Sequence, residues 1–148
     1  MFTGKWRFSV TDVGRAATYK QRLRTGYRKE VAAGEGSELL LVTCRVRNGT
    51  KTKDTLVLEK GWDGMNTALT DAESHSYEPL IYDARFNESA PDGASFLPGA
   101  TIDFVIVFDV PKGTQPKDLV FTAMRYDDRA KFDQPKRPPT DIRYSLVK

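Results

Sequence analysis

The chain has 148 residues, 39% of them hydrophobic and 29% charged, with a net charge of +3. This is one domain's worth of ordinary globular composition, which excludes a low-complexity tail and needs no disulfide or metal staple to hold a core. Cys44 is the single cysteine, which excludes an intrachain disulfide and a cysteine-based zinc site; no apolar window is long enough for a membrane helix, and 20 acids among 23 bases set no global preference for nucleic acid.

Period-two runs separated by turn residues dominate the chain, and helical periodicity is nearly absent. The N-terminal MFTGKWRFSV carries no charged leader followed by an apolar run, so no signal peptide is expected within it. WRFSVTDV predicts a first strand with Trp6, Phe8 and Val10 on one face. ATYKQRLR at 17–24 predicts a second, with Tyr19, Gln21 and Leu23 against Lys20, Arg22 and Arg24. Its protruding cations mark it as an edge strand of the fold.

ELLLVTCRVR at 38–47 is the strongest strand signal: Leu40, Val42, Cys44 and Val46 share one face, while Leu39, Leu41, Thr43, Arg45 and Arg47 share the other. Its first half is expected to be buried on both faces and its second half on one. Asn48-Gly49 then predicts a turn, since both residues tolerate positive φ, with TLVLEK at 55–60 as the pairing partner. The region 61–83 mixes short strands with acidic turns, and RFNESAPDGASFLPG reads as loop by composition.

FLPGATIDFVIVFDVPKG places Ile102, Phe104, Ile106 and Phe108 on one face, with Asp103, Val105, Val107 and Asp109 on the other. Pro98 and Pro111 lie outside the ladder, where a missing N–H does no harm. Such a strand is central, packed strongly inward and partly covered outside. LVFTAMRY at 119–126 and IRYSLV at 142–147 complete the pattern. The chain therefore predicts an all-β fold, a single immunoglobulin-like antiparallel β-sandwich of about seven to nine strands spanning residues 1–148.

The segments LLLVTCRVRNGT, LTDAESHSYEP and LPGATIDFVIVFDVPKGTQPKDLVF resemble, in that order, a telokin-like bacterial domain of unknown function. Its members are immunoglobulin-like, mostly secreted or lipoprotein-borne, and similar to a mycobacterial secreted immunogenic protein. The marks are Asn48 at a strand end; Leu69, Asp71 and Tyr77 in a turn; Pro98 and Gly99 leading into a strand; and Phe108, Val110 and Pro111 closing it. Ser74 stands where the family pattern has Gly. The resemblance covers about residues 38–124 and implies a sandwich fold and an extracytoplasmic setting, with no catalytic residue to carry over.

Chemistry-bearing residues are sparse. His75 is the only histidine, and its neighbours Ser74 and Ser76 are not placed to serve it as nucleophile, because adjacent strand positions face opposite ways. A core-facing Cys44 is inert. Asp71 and Glu73 fall short of the ligand density of a calcium loop, and the sequons at Asn48 and Asn87 lie in polar turns.

The richest surface feature is YKQRLRTGYRK, where Lys20, Arg22, Arg24, Arg28 and Lys29 interleave with Tyr19 and Tyr27. Cations beside aromatic rings suit phosphate or sulfated-glycan contact, while the simpler reading is a charged edge that resists further strand pairing. Trp62, in the glycine-flanked GWDGMN, is a candidate aromatic anchor.

The expected function is a non-catalytic, extracytoplasmic binding or structural module with a protein or cell-surface partner, no cofactor and no metal, possessed by a longer polypeptide or standing alone. A polyanion binder (glycan or nucleic acid) using residues 19–29 is the second expectation, and a proteinase-inhibitor-like module, by fold analogy, the third.

Overall fold

The computed structural model describes residues 6–22, 28–51, 54–57, 66–83, 93–123, 125–127 and 140–147. The described residues contain strands and turns and no helix. The first sheet is antiparallel and has the order β1-β4-β10-β8, from β1 (Trp6–Ala16), β4 (Ser37–Asn48), β10 (Thr101–Pro111) and β8 (Ile81–Asp83). The second has the order β13-β11-β6-β7, from β13 (Thr140–Ser145), β11 (Pro116–Ala123), β6 (Ala68–Asp71) and β7 (Ser76–Tyr77). These eight strands are the immunoglobulin-like sandwich that the alternation predicts.

Five further strands lie outside the two sheets. β5 (Asp54–Val57) pairs with β9 (Gly93–Phe96) and with β12 (Arg125–Asp127), and β2 (Thr18–Arg22) pairs with β3 (Arg28–Ala32). Three expectations are corrected here. β4 pairs with β1 and β10, so the 55–60 segment is not its partner. Asn48 ends the ladder instead of starting a hairpin: its N–H donates to the Ala100 carbonyl at 3.0 Å and its own carbonyl accepts from Gly99 N–H at 2.7 Å. Residues 93–96, read as loop from their small and polar composition, form a strand because β5 supplies a ladder. Residues 18–22 are an edge strand, as expected, but of a separate two-stranded hairpin.

The core between the sheets follows the inward faces of β4, β10 and β11. Leu40, Val42, Cys44, Phe104, Ile106, Phe108, Leu119 and Phe121 are all buried there with Leu69 and Tyr82. Phe121 joins the two layers. Its ring stacks on Phe8 of the first sheet at 4.6 Å with 3° between planes, and tilts against Phe104 at 5.6 Å. Burial pushes the Cys44 thiol well above the ordinary range, as expected of an inert core-facing sulfur, and raises Tyr82 to about 12.

Three turns place glycine at the third position, where φ is positive. Ser37 N–H closes onto Gly34 O around Gly36, Ala100 onto Leu97 around Gly99, and Thr114 onto Pro111 around Gly113. Glycine adopts that conformation without a side-chain penalty.

Truncating the ring that bridges the layers should be costly. Phe121→Ala is expected to destabilise the fold by about 3–5 kcal/mol, seen as a lower denaturant midpoint. A loss under about 1 kcal/mol would mean that the two sheets do not meet on this ring.

Candidate functional site

The β2–β3 hairpin lies in the chain between β1 and β4, which pair directly with each other in the first sheet. Its ladder sets Tyr19 opposite Val31, Lys20 opposite Glu30, Gln21 opposite Lys29 and Arg22 opposite Arg28. Side chains alternate across a ribbon, so Tyr19 and Val31 share one face and Lys20 and Glu30 share the other. Tyr19 and Val31 are half-buried, while Lys20, Lys29 and Glu30 are exposed. The Tyr19 hydroxyl donates to the buried carboxylate of Asp83 on β8, and Ala33 N–H closes the hairpin base onto Ala17 O at 3.0 Å. Of the residues singled out in the sequence, Tyr19 is therefore an anchor, and Lys20 and Lys29 are surface cations. Arg24, Tyr27 and Trp62 lie outside the described residues.

Tyr19 crosses the outer face of the first sheet to reach Asp83. On that face Leu39 and Val107 are 0% exposed although both point away from the inter-sheet core. Beyond them the cover stops. Leu41, Thr43 and Val105 are half-buried and line, with Tyr19, Asp12 and Asp83, an open trough of about 320 Å³. On the next cross-strand row, Arg45 grips Asp103 through two nitrogens at 2.8 and 3.2 Å. That pairing holds the Asp103 carboxyl below its usual range.

A second polar centre lies in the turn between β6 and β7. Asp71 accepts from the backbone N–H groups of Glu73 (2.9 Å) and His75 (2.8 Å), from the His75 ring Nδ1 (3.1 Å) and from the Tyr77 hydroxyl (2.9 Å). Burial alone would raise its carboxyl, but the His75, Tyr77 and Glu73 hydrogen bonds outweigh that and lower it. Burial and the Asp71 bond together raise the Tyr77 phenol.

Ser74, the residue standing where the family pattern has glycine, has φ of +69°, the left-handed conformation that glycine supplies most easily. The turn keeps that geometry because Asp71 over-determines it. The clasp faces Lys112, Gly113, Thr114 and Gln115 across a cleft of about 260 Å³. His75 thus has an orienting carboxylate four residues away, and no neighbouring serine is involved. Only the spacing of Asp71, His75 and Tyr77 hints at it in the sequence.

The other candidates resolve structurally. Asn48 is fully buried, and its side-chain oxygen accepts from Thr50 N–H at 3.0 Å and Thr50 Oγ1 at 2.6 Å, so that sequon is a turn device. Asn87 lies outside the described residues. Among the described residues no three metal-ligating side chains converge.

The architecture defines the class: an all-β, immunoglobulin-like sandwich domain with a hairpin folded onto one face. The chain belongs to the family described as a domain of unknown function (DUF4352), whose model matches residues 3–131, a longer span than the sequence resemblance covered. Two solved structures are similar. One is an uncharacterised β-sandwich protein from Clostridium difficile 630, 11% identical over 99% of this chain and 89% of its own, with a TM-score of 0.53. The other is YcdA of Bacillus subtilis, described as a candidate lipoprotein, 16% identical over 98% of this chain and 38% of its own, with a TM-score of 0.50. At these identities the likeness shows the fold. No curated protein matches the chain at a significant level.

The depressed Asp71 carboxyl links stability to acid. Its contribution is present above the unfolded carboxylate pKa of about 3.9 and is lost as pH falls through the lower folded value. Asp71→Ala should therefore lower the denaturant midpoint at neutral pH, and the gap from the parent protein should narrow as the solution is acidified. A gap that stays constant down to strong acid would show that the charge on Asp71 contributes nothing.

Proposed function

We propose that this domain is a non-catalytic binding module acting outside the cytoplasm, and that the exposed cations of the β2–β3 hairpin are its contact surface for a polyanion. The observation that carries the reading is topological. The hairpin edges neither four-stranded sheet, so any edge its cations guard is that of its own two strands. From residue 19 to residue 30 the sequence carries five cations, Lys20, Arg22, Arg24, Arg28 and Lys29, against the single carboxylate of Glu30.

The Tyr19–Asp83 bond ties the ribbon to the body of the sandwich. A surface held in place before contact loses less freedom on binding.

The extracytoplasmic setting is supported by the resemblance to telokin-like secreted domains and by the candidate-lipoprotein description of YcdA. His75 fits a structural role in this reading: its backbone N–H and its ring both serve Asp71.

Retention on immobilised heparin at low salt is the direct test. Binding should weaken steeply with salt, as release of condensed counterions requires, and the pair Lys20→Glu with Lys29→Glu should elute at much lower salt. Lys117→Glu, on the second sheet, is the control for net charge and should change elution far less. Absence of retention at low salt, or equal loss in the control, would remove the hairpin from the function.

A further inference from the structure

Strict alternation along β1 would send Asp12 to the same side as Trp6, Phe8 and Val10, into the core. The ladder avoids this. Val10 stands opposite Cys44 and Asp12 stands opposite Thr43, with a register shift between them. A β-bulge of this kind re-aims one side chain, and such bulges recur beside binding and active sites. Here it transfers a carboxylate from the inner to the outer face of the first sheet. Asp12 is exposed there and makes no ion pair among the described residues.

From Asp12 a single cross-strand row traverses the whole sheet: Asp12 opposite Thr43, Thr43 opposite Val105, Val105 opposite Asp83. Three inter-strand steps span about 14 Å. The row floors the trough of about 320 Å³, with Leu41 beside it and the Tyr19 phenol as a wall. Its size matches the lower end of small-ligand clefts, which combine apolar linings with a few placed polar groups.

We propose that this trough binds a small aliphatic amine, with its ammonium on Asp12 and its methylene chain laid over Thr43, Leu41 and Val105 against the Tyr19 ring. Charge complementarity selects the head group, since the exposed carboxylate that the bulge delivers pairs with no cation among the described residues. The half-covered apolar side chains select the tail: laying methylenes over them removes apolar area from water on both partners. An ammonium beside an aromatic ring gains further attraction. This site is separate from the exposed cations of the hairpin and attracts the opposite charge.

Titration of the full chain with n-hexylamine at neutral pH, followed by amide chemical shifts and calorimetry, tests it. Saturable binding is expected, with shifts centred on Asp12, Thr43 and Val105. Asp12→Asn should weaken it about tenfold or more, with an unchanged melting temperature because the side chain is exposed. Neutral 1-hexanol should bind more weakly than the amine, and hexanoate more weakly still. Thr43→Lys, which sets a cation in mid-trough, should compete with the amine and gives a second variant. Lack of saturation at about 10 mM hexylamine, equal affinity in Asp12→Asn, or hexanol binding as tightly as the amine would each overturn the proposal. Heparin retention is read on other residues, so either result stands without the other.

Discussion

Two neighbouring strands, β4 and β10, are apolar on both faces, and the rest of the molecule is arranged to cover them. One face meets the second sheet through Phe104, Phe108 and Phe121. The other presents Leu39, Leu41, Val105 and Val107. Full burial of a side chain of this size stabilises by about 1.5–3 kcal/mol, and Leu39 and Val107 are fully buried at one end of this face. An isolated two-stranded ribbon is marginal in water. The hairpin is therefore held by the half-burial of Tyr19 and Val31 and by the bond from Tyr19 to Asp83. The trough lies where Leu41, Thr43 and Val105 are half-buried.

The ends of the sandwich are tied by polar groups that replace missing backbone partners. Asn48 satisfies the chain as it leaves the first sheet, and Asp71 organises the hairpin of the second. Arg15 connects the two layers at the same end: it pairs with Glu38 and donates to the Thr114 carbonyl at 2.6 Å, while Glu38 also accepts from Gly113 N–H at 3.2 Å. The turn between β10 and β11 is thereby gripped by residues from β1 and β4. Such networks rigidify a loop when each member has its partner, which keeps the cleft facing Asp71 in a fixed shape.

Alternation made the inner faces of β1, β4, β10 and β11 legible, because a two-residue period admits one arrangement once a face must be buried. Proline and glycine likewise marked the turns at Pro98-Gly99 and Pro111–Gly113. What stayed hidden depends on the partner strand. The cations of β2 read as edge protection because the sequence does not say which strands lie beside them. The strand at 93–96 needed β5 to exist at all. The bulge in β1 had one sign, a carboxylate at Asp12 falling on the apolar face of the alternation, and its position is set by the pairing with β4. Asp71 and His75 were each visible as residue types, and their bond was not, because a turn with φ of +69° at Ser74 brings them together.

The central claim is that the hairpin is anchored on the outer face of the first sheet through the bond from Tyr19 to Asp83. Nuclear Overhauser contacts between the Tyr19 ring and the Asp83 side chain in the native protein test it most directly. The account predicts a clear cross-peak, accompanied by slow amide exchange along β2 and β3. A well-folded sandwich that shows no such contact, with hairpin amides exchanging as fast as a free peptide, would contradict it.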